Sequence, residues 1–482
     1  MFNLRKFFGF GKRSQTPSDP NIVNDIHSKL NQTRVKCVES PSSLAEIQSL
    51  LKRSKEEAVP IAIAGSRHAM GGQQFAENAI LFDTRSMNQV LDLDTEKGLV
   101  QLETGIEWPT LVAELQKRQP GVEDYWTIRS KQTGADKLTI GGAISANAHG
   151  RSIIDQPIVG DIEDLSILNA DGEAIRASRT QNPELFSLAV GGYGMMGVLH
   201  TATYRLERRR KIERVVELKN IDELMPAFEQ RIRDGYTIGD WQYKTDSNSD
   251  EFLCKGVFSC YREVPISTPI KESQKSVSDR AWKQLVYLGH VDKARAFQLY
   301  SDFYLGSSGQ IYWADTSQLG EYPVDYHLDT DKKMRAKVAG SEMISELYVP
   351  REKLAAFMHA AAKKLRDLKA DVIYGTVRLI EKDDVSFLAW AKESYACIIF
   401  NLHVDHVPES IAKAEVAFRA LIDLAIEHGG NYYLTYHRWA TREQVLSCYP
   451  QFPEFIARKQ AWDPQDRFTS SWFQHHRKLL AP

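Results

Sequence analysis

IAIAGSRHAMGGQQ, residues 61–74, is the stretch on which the fold turns. Ile61 to Ala64 read as the end of a buried strand that begins at Val59. Gly65, Gly71 and Gly72 then permit a tight turn and a close approach of the backbone to a ligand. Successive N–H groups in such a turn form a concave anion site suited to a pyrophosphate. The loop fits neither G-x-x-x-x-G-K-S/T nor G-x-G-x-x-G, which argues against the two common nucleotide-binding loops. His68 lies inside it, as either a hydrogen-bonding residue or a point of attachment.

Working outward, two further stretches are dense in small residues. TGADKLTIGGAISANAHG (133–150) offers Thr139, Gly141, Gly142, Ser145, Ala146 and Gly150, against which a flat ring or a diphosphate can lie. The alternative is a tight turn packed under a helix. NPELFSLAVGGYGMMGVLHTATYRL (182–206) reads as a short helix ending at Gly191-Gly192, then Gly194 and Gly197, then a strand from Val198.

The surrounding pattern is mixed. Ser43-x-x-Glu46 is a capping box ahead of a helical face of Leu44, Ile47, Leu50 and Leu51. VLDLD-TEKG-LVQLETG (90–105) is a hairpin, and Trp108–Arg118 a helix. The charge run RLERRRKIER (205–214) marks a boundary and reads as a solvated strand face. Beyond it Pro350–Leu368 and Glu409–His428 are helices, and Val372–Arg378 and Ala396–Val404 strands, an α+β pattern.

Composition narrows the class. The 482 residues, 43% hydrophobic and 26% charged, are enough for two or three domains. With 61 Lys and Arg against 63 Asp and Glu there is no basic excess, so nothing supports a nucleic-acid partner. The five cysteines (Cys37, Cys254, Cys260, Cys397, Cys448) contain no C-x-x-C and indicate neither a disulfide framework nor a metal site. A reducing cytoplasm fits them. No run of 18 apolar residues is present. MFNLRKFFGFGKR (1–13) reads as a flexible basic and aromatic tail, or more sharply as a weak contact with a membrane surface.

In order and spacing, the three glycine-rich stretches resemble the FAD-linked oxidoreductases whose flavin domain is of the PCMH type, the family of p-cresol methylhydroxylase and vanillyl-alcohol oxidase. GSRHAMGGQ resembles the G-x-G-H-S-x-x-G-Q loop of cytokinin dehydrogenases and the similar loops of gulonolactone and alditol oxidases. TIGGAISANAHG is similar to the family's T-V-G-G segment, and GGYGMMGVL to its G-G-x-G-x-F-G-V-I segment. The resemblance covers residues 35–206. It implies an α+β fold: a tail at 1–20, a two-subdomain FAD-binding domain at 21–210, an α+β substrate (cap) domain at 211–430, and a segment at 431–482 that returns to the FAD domain. It implies FAD, bonded through His68 to the 8α carbon of the isoalloxazine or else held non-covalently with His68 lining the ring. FAD contacts are expected at Ile63, Gly65, Ser66, Arg67, Ala69 and Gln73, at Gly134, Thr139, Ser145 and His149, and at Leu199.

The substrate half departs from the family's patterns. Cytokinin dehydrogenases place an aspartate base five residues before their threonine; here that position is Gly134, with Asp136 out of register. GSEMISELYVPREKLAAFM (340–358) is similar to the S-E-Y-x-V-P segment that opens a strand–helix unit. GTVRLIEKDD (375–384) resembles the E-I-R-T segment of alditol oxidases, with Arg378 on the arginine and Thr376 on the glutamate. His403 stands about where a related strand carries a lysine, and His437 falls on the histidine of a P-H-W-G-K segment. The implied chemistry is hydride removal from a CH–OH group of a sugar, polyol or lactone. His437 or His403 would accept the hydroxyl proton, which a neutral imidazole can do at pH 7. Arg378 would stabilise the alkoxide, unless it pairs with Asp383. His437 is expected to face the flavin from a strand on which Tyr436 and Arg438 point away. The partners would be a small-molecule substrate and an electron acceptor: oxygen, a quinone or another acceptor. Redox chemistry at a C–N or C=C bond, or a non-catalytic flavoprotein, are the alternative readings.

Overall fold

The computed structural model describes residues 19–320 and 326–481. The expected membrane-surface contact of the tail lies outside the described residues. No described helix is long and apolar enough to cross a membrane.

Three sheets carry the architecture. In the first, Ile61–Ala64 pairs in parallel with Ile80–Asp83, which pairs in parallel with Cys37–Glu39. Parallel strands need a crossover, and the helix Leu44–Glu56 supplies it. Ile47, Leu50 and Leu51 of that helix bury with Ile61, Ile80 and Phe82, while Leu44 stays exposed. Ser43 caps the helix by accepting from the Glu46 N–H at 3.3 Å. The Glu46 carboxylate accepts from the Ser42 N–H at 2.7 Å instead of reaching back to Ser43, so the expected capping box is half formed.

The second sheet is antiparallel, in the order Ala174–Ser178, Ile162–Leu168, Val198–Arg205, Leu99–Glu103, Val90–Asp94. Its last pair is the expected hairpin. Val100 and Leu102 alternate inward and join Leu111 and Leu115 of the helix Trp108–Arg118 in the core.

The third sheet runs Ile311–Trp313, Lys211–Asn220, Lys255–Val264, Tyr236–Tyr243, Val372–Ile380, Tyr395–Asp405, Gly340–Pro350, Asn431–Tyr432, antiparallel throughout. Helices Ile221–Arg233, Leu354–Asp367 and Pro408–Glu427 cover one face with Leu224, Phe357, Phe418 and Leu421. The other face fronts a cavity, roofed by the helices Asp279–Val291 and Lys293–Leu305.

The basic run at 205–214 is not a solvated face. Arg209 bonds to Asp315 at 2.9 Å and lies 4.0 Å from the Trp313 ring centre. Arg210 bonds to Glu207 at 3.1 Å, and Arg214 donates to the Tyr261 hydroxyl at 2.9 Å. Each guanidinium finds a carboxylate or an aromatic face where the chain passes from the second sheet to the third, so burial is tolerated.

The C-terminal segment touches both halves. Asn431–Tyr432 extends the third sheet, whereas Phe468 bridges Ile61 in parallel. The Ile61 N–H donates to the Arg467 carbonyl at 2.7 Å, and the Thr469 N–H to the Ile61 carbonyl at 3.0 Å. Phe468 is fully buried among Ile61, Ile80, Leu168 and Val198. Phe468→Ala is therefore expected to lose about 3–5 kcal/mol in a denaturant titration. A variant as stable as the wild type would show that this return is not part of the cooperative fold.

Candidate active site

After Ala64 the chain leaves the first sheet and turns sharply, with Arg67 at a left-handed φ of 63°. Among the described residues, the backbone N–H groups of Ser66, Arg67, His68 and Ala69 have no protein acceptor. They are free to donate to an anion placed in the turn. Gly65 has no room for a side chain: a Cβ there would stand 2.2 Å from Thr139 Oγ1. Thr139 caps the helix Ile140–Ala146, accepting from the Gly142 N–H at 3.1 Å. The first two glycine-rich stretches therefore touch. The third reaches them through Gly194, at φ 77°, whose Cβ position lies 3.8 Å from Ile63.

These stretches and the open face of the third sheet enclose a cavity of about 770 Å³. That volume is in the range of cofactor and small-molecule sites. Ile63, Gly65, Ser66, Arg67, His68, Ala69, Gln73, Gly134, Thr139, Ser145, His149 and Leu199 all line it. His68 Nδ1 is 2.9 Å from His27 Nε2, and its own Nε2 is buried with no partner. Burial above all, then His27, Lys137 and Lys131, hold its pKa well below the usual range, so the imidazole is neutral. Open N–H donors, a wall of small residues and a neutral ring nitrogen fit FAD. His27 carries no local sequence signal, being 41 residues away from His68.

From the third sheet, alternation points Glu342, Ile344 and Glu346 into the cavity, together with Tyr374, Arg378 and Asn401. Arg378 is buried and has no hydrogen bond or ion pair among the described residues. Asp383 does not meet it, because its carboxylate is taken by Asn147 at 2.8 Å and by the Val385 N–H at 2.8 Å. Thr376 donates to the Trp241 carbonyl at 3.2 Å. Glu346 Oε1 is hydrogen-bonded to His149 Nε2, and its Oε2 lies 3.4 Å from the Tyr436 hydroxyl. His149 Nδ1 faces the Gly150 carbonyl at 3.1 Å, so Nδ1 carries a hydrogen. Glu346 had a sequence signal, a carboxylate at alternate spacing from Glu342 in an apolar strand.

Neither expected proton acceptor lines the cavity. The strand ends at Tyr432 and the chain turns at 434–436, so alternation does not carry on to His437. Tyr436 reaches the cavity instead. His437 is buried against Phe418, ring centres 4.9 Å apart, with Nε2 3.1 Å from Ser345 Oγ. His403 stands beside Glu342 and Asp405, outside the cavity wall. Asp136 is also engaged, in an ion pair with buried Lys131 at 2.7 Å. Burial pushes His437 and His476 down to a pKa of about 3. Their unfolded values lie near ~6.5. Between the two values the unfolded chain binds protons that the folded chain does not, so stability rises with pH across this window and is lost as pH falls through it. His437→Gln is expected to shrink the drop in Tm between about pH 7 and about pH 5. An unchanged drop would mean that this imidazole is already hydrated.

Residues 35–178 match the family described as FAD binding domain. The chain is 26% identical over 218 residues to the mitochondrial L-galactono-1,4-lactone dehydrogenase of Arabidopsis thaliana, covering 44% of this chain and 34% of that protein. It is 22% identical over 375 residues to the L-galactono-1,4-lactone dehydrogenase of Brassica oleracea, 71% of this chain and 60% of the other. Against the L-gulonolactone oxidase of Bos taurus it is 23% identical over 193 residues, 40% of this chain and 42% of the other. The chain thus spans from 34% to 60% of the length of these relatives. The matched segment contains both the 65–73 loop and the Thr139 cap that closes against it, and residues 35–178 of this chain form an FAD-binding domain of the PCMH type.

Proposed function

We propose that the protein oxidises a CH–OH group of a sugar lactone, or of a related sugar or polyol, with FAD held at His68 as the first electron acceptor. The observation that carries this reading is Arg378, an unpaired buried cation lining the same cavity as His68. When bound, the isoalloxazine supplies a two-electron acceptor able to take hydride from carbon. The chain's own residues do the rest. As hydride leaves carbon, the hydroxyl proton must leave oxygen, and the guanidinium of Arg378 stabilises the developing charge without losing its own proton. Glu346 Oε2, beside the Tyr436 hydroxyl, is the carboxylate placed to take the proton directly or through that hydroxyl. His149 orients the carboxylate from its other oxygen. Trp282, Tyr300 and Tyr304 close the cavity from the roof and keep water from the reacting atoms. Turnover needs a second acceptor, oxygen or a quinone, to remove the electrons.

The names of the relatives favour a lactone within this class. The engagement of Asp136 by Lys131 leaves an amine without a free aspartate base at that place. Covalent attachment is favoured by the neutral ring of His68 and its unpartnered Nε2.

Two measurements test the proposal. Acid-precipitated wild-type protein on a denaturing gel is expected to fluoresce under ultraviolet light, and His68→Ala is not. Yellow colour released from the wild type would remove the covalent bond and keep the cofactor. In anaerobic mixing with aldonolactones and alditols, Glu346→Gln and Arg378→Ala should each slow bleaching of the bound flavin by about 10²–10³-fold at unchanged flavin content. A flavin that no lactone, sugar or polyol bleaches would sink this reading, and bleaching by amines alone would move the chemistry to a C–N bond.

A further inference from the structure

His290, Glu342 and His403 converge beside the cavity, and nothing in the proposed oxidation uses them. Glu342 and His403 are direct cross-strand partners on Gly340–Pro350 and Tyr395–Asp405. His290 reaches them from the last turn of Asp279–Val291. The side chains of His290 and Glu342 are 3% and 5% exposed, and that of His403 15%. His290 Nε2 is 3.1 Å from Glu342 Oε1, and His403 Nδ1 is 3.6 Å from the same oxygen. None of these three atoms makes an aligned hydrogen bond. The imidazoles stand edge to face, 89° between planes and 5.1 Å between centres, so their nitrogens converge without stacking. Gly340 makes room for this, because a Cβ there would lie 2.4 Å from His403 Cε1.

We propose that His290, Glu342 and His403 form a binding site for a divalent first-row transition metal, with zinc the best fit and with a remaining position reached from the cavity. Two ligand atoms, each about 2.0–2.1 Å from a tetrahedral zinc, lie about 3.3–3.4 Å apart. The separations of 3.1 and 3.6 Å bracket that value. Two histidines and a glutamate with one open position are the ligand set of a zinc that keeps a water or a substrate oxygen. The set has no sulfur, which favours zinc or iron(II) over copper(I). His403 Nε2 faces Asp405 at 3.4 Å, where a carboxylate fixes the tautomer that leaves Nδ1 free to bind. Three buried polar atoms without aligned partners are costly, and one ion satisfies all of them. Glu342 lines the cavity, so the ion would also tie the roof helix that carries Trp282 to the sheet beneath. No spacing signal marks this site, because its three residues are far apart along the chain.

The test uses untagged full-length protein with its flavin bound, stripped with chelator and dialysed against zinc chloride. One zinc per chain is expected, with a Kd below about 1 μM. His290→Ala, His403→Ala and Glu342→Gln should each weaken binding by at least roughly 100-fold, and Asp405→Asn by about tenfold. Zinc should raise the Tm of the wild type and leave that of Glu342→Gln unmoved, a comparison that holds if the alanine variants fold poorly. X-ray absorption at the zinc edge should show two imidazole nitrogens and no sulfur. The proposal fails if stripped wild type takes up no zinc, if the variants bind as tightly as it does, or if the edge spectrum contains sulfur.

Discussion

Ile61 is hydrogen-bonded from outside its own sheet. Its side toward Ile80 belongs to the parallel ladder, while its N–H and carbonyl are taken by Arg467 and Thr469. An edge strand left open would be free to fray or to pair with another chain, and here a distant segment covers it. That fixes the strand whose last residue, Ala64, launches the 65–73 loop. With the root of the loop immobile, the contact between Gly65 and Thr139 has one geometry, and the cavity inherits it.

Opposite the loop, the third sheet gives the cavity its chemistry by period-two alternation alone. One face is apolar and packed under helices, whereas the other presents Glu342, Glu346, Tyr374, Arg378 and Asn401. Such groups are expensive to bury. Glu346 is supported by His149 and Tyr436, while Arg378 is left without a partner. A buried cation left without a partner is costly to the fold.

The flavin half was legible in the sequence because its constraints are local. A left-handed turn, a close backbone approach and a threonine cap each demand particular residues at fixed offsets, and residues 65–73 and 139–142 state them openly. The substrate half was legible only where a strand ran long enough to set a register. Arg378 lies mid-strand, and the position read for it falls on the cavity. His437 lies past the end of a two-residue strand, where alternation has no meaning. His149 and Glu346 are 197 residues apart, and only the folded chain brings their hydrogen bond into view. The basic run misled for a related reason, since Asp315 and Trp313, which hold Arg209, lie about a hundred residues further along the chain.

The cover on Ile61 also sets a timetable for biogenesis. Arg467, Phe468 and Thr469 emerge from the ribosome hundreds of residues after the strand they clasp. At about 5–20 residues per second, that interval is tens of seconds. Throughout it the nascent loop has its glycines and its histidine but no fixed root. The root of the loop is therefore fixed only after residue 469 has been made, long after the loop itself.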